Sequence, residues 1–236
     1  MTELVNSTYI IPYTDFGFKK LFGTEYNKDL LIAFLNALLN PASLIEDLSY
    51  LPEERLPDRP IVRKAIFDVY CRLNDGSRII VEMQNSMQQY FKDRSVYYAT
   101  FPIREQAKVG EWNYELAPVY TVGLMNFTFD DQAEYFHQEV VLFDRTTEKQ
   151  FYDKLTMICL EMPKFNKKPE ELLTDLDKWL YVLKNLVMLD ARPQDLTGKI
   201  FERLFEVARV AALNSSDQVD YQRSIKEMWD ITAAMS

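Results

Sequence analysis

The stretch Phe67-Asp68-Val69-Tyr70-Cys71-Arg72-Leu73-Asn74-Asp75-Gly76-Ser77-Arg78-Ile79-Ile80-Val81-Glu82-Met83-Gln84 governs the fold of this chain. It spells two apolar strands joined by Asn74-Asp75-Gly76. Acidic and amide side chains stand where a buried strand ordinarily holds Val or Ile. A three-residue loop with Gly third suits a type I turn closed by a G1 bulge. Such a loop pairs Leu73 with Ser77, and counting back along both strands puts Asp68 opposite Glu82. Strand alternation sends Gln84 to the same face. A two-residue loop would pair Asp68 with Met83 instead and turn the two acids to opposite faces. Facing carboxylates repel unless positive charge lies between them, and a divalent metal is the usual solution because hard cations prefer carboxylate oxygen. The competing reading is an edge hairpin whose acids face solvent.

The chain has 236 residues, 47% of them hydrophobic and 14% aromatic, which is enough to bury a full core and argues against disorder. Cys71 and Cys159 are too few for a disulfide framework, and each sits in an apolar run, so both read as core thiols of a reducing compartment. Met1-Thr2-Glu3 opens no basic stretch followed by an apolar one, so no secretory signal is expected, and no apolar run approaches membrane-spanning length. A cytoplasmic protein is expected. The net charge of −9 argues against broad nonspecific binding to nucleic acid. That charge is uneven. Residues 60–110 hold eight basic side chains and five acids, a local excess of +3 against −12 for the remainder. A positive zone on an acidic body is compatible with a phosphate-bearing ligand, and it also arises by chance.

The chain has no internal repeat and no low-complexity segment. Thr14 can cap a short helix from Asp15 to Phe22, ended by Gly23. A second helix is expected from Lys28 to Leu39, with Leu30, Leu31, Phe34, Leu35, Leu38 and Leu39 as its apolar stripe and Asn40-Pro41 as its stop. A proline-rich loop (Pro52, Pro57, Pro60) precedes the hairpin, expected at about 61–73 and 77–84. A long helix follows from Met87 to Lys108, interrupted only by Pro102, where a kink is possible. Strands are expected at Pro118–Phe127, Glu139–Phe143 and Leu155–Leu160. Pro169 is expected to open a helix with Leu172, Leu173, Leu176, Trp179, Leu180, Leu183 and Val187 on one face, with two more helices at about 196–213 and 217–233. A mixed α/β region over 1–165 thus precedes an all-helical region over 166–236.

Taken in order, Asp15-Phe16-Gly17-Phe18-Lys19-Lys20-Leu21-Phe22 on a helix, Asp68 in a strand, Gly76 in a turn, Val81-Glu82-Met83-Gln84 in the next strand, and Arg94, Tyr97, Tyr98 and Gln106 on a following helix resemble the PD-(D/E)XK nuclease family transposases, also called recombination-promoting nucleases. The likeness runs from about Tyr9 to Phe127 and is weaker around Lys178-Trp179-Leu180. It implies a restriction-endonuclease-like core of helix, β-meander, helix and strand, with a C-terminal helical extension. It also implies a Mg²⁺-dependent (or Mn²⁺-dependent) endonuclease that hydrolyses DNA phosphodiesters in recombination or transposition. By position, Asp68 and Glu82 would bind the metal, with the Met83 carbonyl as a third ligand. Gln84 would stand where many relatives of the wider superfamily have lysine, and Asp15 would be an acid of the first helix that reaches the same metal. Arg94, Tyr98 and Gln106 match positions beside the site. Phe67, not proline, precedes Asp68, a common departure.

Bland alternatives stand beside each role. Gln84 cannot be a general base, because an amide has no useful pKa, though it could orient water or donate to phosphate. Asp15 in a first helical turn also suits the helix dipole. Arg94 and Tyr98, four residues apart, share a helix face and could meet phosphate, or Arg94 could pair with a nearby acid. Lys19 and Lys20 could contact DNA phosphates or line a solvated helix face. His137 is the only histidine and has no metal-spaced partner, which speaks against a nucleophile–histidine triad. Tyr90-Phe91 and Tyr97-Tyr98 could stack on unpaired bases or pack in the core. A homodimer is expected if both DNA strands are cut. The rival function is a nuclease-fold module, catalytically weak or inactive, acting in protein association or regulation.

Overall fold

A computed structural model describes residues 7–52, 54–55, 65–87, 89–107, 110–129 and 134–235. By its own contacts the chain divides into two compact units, Met1–Glu46 with Met162–Ser236, and Asp47–Glu161. The first unit joins the first helices of the chain with the last ones.

In the first unit, α1 spans Asp15–Phe22. It begins where it does because Thr14 Oγ1 accepts the Gly17 N–H at 3.0 Å, satisfying a donor that the first turn leaves orphaned. Gly23 closes it. The second helix, α2 (Lys28–Leu39), buries Leu30, Leu31, Phe34, Leu35 and Leu38 and ends at Asn40, which takes the left-handed conformation at φ 41°. Both helices have the expected ends.

The tail differs from expectation. Pro169–Glu171 forms only a 3₁₀ turn. The helix α4 begins later, at Asp175, and runs to Asn185. Thr174 and Asp177 form a reciprocal cap there, with the Asp177 N–H on Thr174 Oγ1 and the Thr174 N–H on Asp177 Oδ2, both at 3.1 Å. That capping box outweighs the proline as a start signal. Leu173, expected on the buried stripe, therefore lies outside the helix and is 85% exposed. The next helix, α5, is shorter than expected, Lys199–Val207, and a 3₁₀ turn follows at Val210–Ala212. The last, α6, spans Ser215–Met235. An aromatic cluster lies within the core of this unit: Trp179 lies 5.9 Å from Phe22, 5.8 Å from Phe34 and 5.4 Å from Phe201, centroid to centroid.

The second unit is built on a sheet. Its strands are β1 (Leu48–Tyr50), β2 (Glu54–Arg55), β3 (Ala65–Ile66), β4 (Val69–Leu73), β5 (Arg78–Gln84), β6 (Val119–Met125), β7 (His137–Asp144) and β8 (Lys149–Glu161). Six of them form one sheet in the order β1-β4-β5-β6-β8-β7, and β2 and β3 pair with each other. The first three sheet strands make an antiparallel meander. The chain then crosses over through α3 (Phe91–Arg104) and returns as β6, parallel to β5. Strand β8 extends the parallel part, and β7 folds back antiparallel.

Several boundaries depart from the sequence reading. Strand β1 lies just ahead of Pro52, where the sequence pattern marked no element. The expected hairpin start at 61–64 lies outside the described residues, as does Lys108. Strand β4 starts at Val69, one residue after Asp68. Helix α3 starts at Phe91, after Tyr90 in a left-handed conformation at φ 62°, and keeps Pro102 inside it.

Candidate active site

The hairpin register is the one a three-residue loop demands. Val69 pairs with Val81, Tyr70 with Ile80 and Arg72 with Arg78. The Leu73 N–H donates to the Ser77 carbonyl at 2.9 Å, and Gly76 takes φ 87°, which only a residue without Cβ adopts freely. Asp75 locks the turn by accepting both the N–H and the hydroxyl of Ser77 at 2.8 Å. One further step along this register sets Asp68 across from Glu82.

The two acids engage each other's strand. Asp68 Oδ2 accepts the Met83 N–H at 2.6 Å, and Glu82 Oε1 accepts the Asp68 N–H at 3.3 Å. The reason lies in the ladder. Even-numbered residues of β5 exchange backbone bonds with β6, as Arg78 N with Pro118 O and Gln84 O with Asn126 N show. Odd-numbered backbone groups of β5 therefore face β4. Since β4 stops at Val69, the Met83 N–H has no strand partner and takes the Asp68 carboxylate instead. The Met83 carbonyl belongs to that same edge.

Arg94 of α3 pairs with Glu82, Nη2 lying 4.0 Å from Oε2. The same guanidinium lies 5.4 Å from the Tyr98 ring centroid, a cation–π arrangement. Burial, and then the negative charge of Glu82, raise the Tyr98 phenol above its ordinary value, while Arg94 pulls the other way. Phe67 packs edge-on against Tyr98 at 5.2 Å and forms with Tyr70, Ile80 and Phe101 the cluster that seats α3 on the sheet.

Gln84 is 7% exposed, and its Oε1 has no hydrogen-bond partner among the described residues. Such an orphaned acceptor is costly unless something donates to it or is coordinated by it. It shares with Glu82 a cavity of about 320 Å³ between the sheet and α3. Two carboxylates, an unpartnered amide oxygen and a strand-edge carbonyl are hard oxygen donors. They fit Mg²⁺, which keeps several waters and needs only one or two carboxylates from protein. Among the described residues no group of three or more His, Cys, Asp or Glu is set to hold a metal. An ion here would rest on the Asp68–Glu82 pair with main-chain and amide oxygen.

A helix with the Asp15 motif, a meander carrying Asp68 and Glu82, a crossover helix with Arg94 and Tyr98 and a returning parallel strand are thus all in place. The family model of the PD-(D/E)XK nuclease family transposases matches residues 12–236. The chain belongs to this family. No curated protein and no solved structure matches it.

As a PD-(D/E)XK nuclease family transposase, the protein has the mixed α/β, restriction-endonuclease-like fold of that family, which supports a nuclease-type function. Among the described residues no helix is long and apolar enough to cross a membrane. The remaining residues singled out from the sequence are placed as follows. Gln106 bonds to the main chain: its Nε2 donates to Pro102 O at 3.2 Å and Ala117 O at 3.3 Å, and its Oε1 accepts the Ala117 N–H at 2.7 Å. Asp15 and Lys19 belong to the other unit and pair with each other at 3.2 Å, Asp15 being 60% exposed on its side chain. Lys20 pairs with Asp217 at 2.6 Å. His137 lies 3.5 Å from Glu139.

The sequence reading passed over the residues that β6, β8 and β7 bring beside the acids. Glu82, Gly123, Cys159 and Gln138 stand in one line across four strands, and Ile80, Thr121, Met157 and Val140 stand in the next. Side chains in one such line share a face. Burial raises the Cys159 thiol to about 11, with Glu161 adding to the rise and Lys92 opposing it, so the sulfur stays protonated near neutral pH. Gln138 donates to the fully buried Glu161 at 2.6 Å. Strand parity could have found these residues only with the register between β5, β6 and β8 in hand, and nothing local in sequence sets the register of parallel strands.

Proposed function

We propose that this chain is a metal-dependent endonuclease, a deoxyribonuclease that hydrolyses DNA phosphodiester bonds in recombination or transposition. One observation carries the reading: Asp68 and Glu82 meet where the ladder between β4 and β5 ends, each bonded to the other's strand, beside the unsatisfied Gln84 oxygen. Asp68, Glu82 and the Met83 carbonyl would hold Mg²⁺ or Mn²⁺. When bound, the ion would acidify a coordinated water and stabilise charge on the scissile phosphate.

The chain's own residues supply the rest. Gln84 Oε1 has two lone pairs, and one of them accepts from the attacking water and orients it. Arg94, already next to Glu82, offers its guanidinium to a phosphate oxygen, and Tyr98 backs it with its ring face. Gln106 acts by fixing the residues that lead into β6 against the end of α3. The roles of Asp15 as a further acid and of Lys19 as a phosphate contact rest on family likeness alone. Cleavage of both strands would use two copies of the chain, which sedimentation with and without DNA would reveal. A cytoplasmic location is part of the same proposal.

A second reading has its own support. Each acid already has a hydrogen-bond donor, and Arg94 offsets part of their charge, so the pair can also serve as a structural cap in a non-catalytic module that binds other proteins. The net charge of −9 favours it. Incubation of supercoiled plasmid with the protein and Mg²⁺ or Mn²⁺, beside Asp68→Ala, separates the two. The enzyme reading expects nicking that falls at least about a hundredfold in the variant. Equal products from both proteins would remove it.

A further inference from the structure

The cavity next to Glu82 is shaped and lined for more than a water molecule. Its volume of about 320 Å³ lies at the lower end of the range of small-ligand pockets, about 300–1,000 Å³. Its chemistry is divided. Phe91 of α3 and Phe129 are walls, with ring centroids 5.8 Å apart, and Tyr98 stands toward the Glu82 end. Gly123 lies in its floor, where the missing side chain leaves room: a Cβ there would meet nothing nearer than 3.9 Å. Two cations are among its lining residues, Arg94 near Glu82 and Lys92 with Nζ 5.2 Å from the Phe129 ring centroid. The Gln84 oxygen belongs to the same lining, buried and without a donor among the described residues. Aromatic faces, an unsatisfied amide acceptor and flanking positive charge are together the recognition set for a nucleobase carried on a phosphate backbone.

We propose that this cavity receives one unpaired base of the strand whose phosphate lies at Asp68 and Glu82, held by contact with Phe91 and Tyr98 and by a hydrogen bond from the base edge to Gln84 Oε1. The choice of nucleic acid as ligand rests on the endonuclease reading. The consequence reaches beyond it, since the protein would select sites with an unpaired base over continuous duplex. A base inside a duplex must first be unstacked at a cost of a few kcal/mol, which an extrahelical base avoids.

The test compares three short duplexes for binding to the full-length protein with Ca²⁺ in place of Mg²⁺, so that an ion can bridge the acids and the phosphate while cleavage is suppressed. One is fully paired, one carries a single extrahelical adenine, and one carries an abasic residue at that position. The expected result is affinity for the adenine duplex about tenfold above that for either of the others, the scale of one base stacked on aromatic side chains. Gly123→Leu, which fills the floor, is expected to remove that preference while its circular dichroism matches the wild type. If that variant fails to fold, the adenine-to-abasic ratio of the wild-type protein decides the matter alone. Adenine and abasic duplexes bound within twofold of each other would overturn the proposal, as would a folded Gly123→Leu that keeps the full preference. The plasmid assay stands apart: nicking without base preference removes the pocket and leaves the nuclease, and preference without nicking does the reverse.

Discussion

At the scale of single residues, the question at the site is which cation offsets Asp68 and Glu82. Arg94 is 4.0 Å from Glu82 in a partly solvated setting, so its contribution is modest, about 1 kcal/mol. A bound divalent ion would act more strongly, since a ligand at a hundred times its dissociation constant stabilises by about 2.7 kcal/mol. Thermal melts should therefore show Mg²⁺ raising the Tm of the wild type and of Arg94→Ala, and leaving Asp68→Ala unmoved. A Tm for the wild type that is indifferent to Mg²⁺ and Mn²⁺ would speak for the structural cap. Gly17 poses a second question. A Cβ there would overlap the Ile11 carbonyl oxygen and come within 2.8 Å of Thr14 Oγ1, the group that caps α1. The glycine of the Asp15-Phe16-Gly17-Phe18 motif thus admits the chain of residue 11 against the helix. Gly17→Ala should lower stability by about 1–3 kcal/mol, read by urea titration.

At the scale of elements, the hairpin and α3 depend on two devices. The turn Asn74-Asp75-Gly76 sets the register that brings the acids face to face, and its chemistry is local, so it could be read from sequence. The attachment of α3 to β6 is not local. Gln106 spans it with three main-chain bonds at the end of α3. Gln106→Ala would leave the Ala117 N–H and carbonyl without these partners, and a cost of about 1–3 kcal/mol is expected. Native-state hydrogen exchange should show the Ala117 amide losing protection, while the Val81 amide in the hairpin keeps its own. Equal loss at both would mean that Gln106 supports the whole sheet and not this junction.

At the scale of the molecule, several buried groups hold their protons more firmly folded than unfolded. Burial raises the Cys71 thiol from 9.0 to about 12 and the Cys159 thiol from 9.0 to about 11. Burial also leads the rise of the Tyr70 phenol from 10.0 to about 12, although its Arg78 partner opposes it. Tyr13 and Tyr221 shift in the same direction, for the same first cause. A group with a raised folded pKa contributes stability that is complete below its unfolded value and is lost as pH rises through the folded one. Stability from these groups should accordingly hold steady up to about pH 9 and decline toward about pH 12. Denaturant melts across that series would check it, and Cys71→Ala should flatten part of the decline. A flat profile through pH 11 would contradict the assignment.

Sequence alone determined what depends on neighbours along the chain. The cap at Thr14 and the stop at Gly23 fixed α1, the apolar stripe and Asn40 fixed α2, and the Asn74-Asp75-Gly76 turn fixed which hairpin side chains face each other. It overextended the helix at Pro169, because the Thr174–Asp177 cap competes with proline for the start and the winner depends on what is buried. Tertiary structure decided what lies beside the acids. Arg94 reaches Glu82 only because α3 crosses the sheet, and Gly123, Cys159 and Gln138 join Glu82 only through the register of parallel strands far apart in sequence. Local turn chemistry is written in consecutive residues, whereas a cavity is the space left among elements that meet only after the chain has folded.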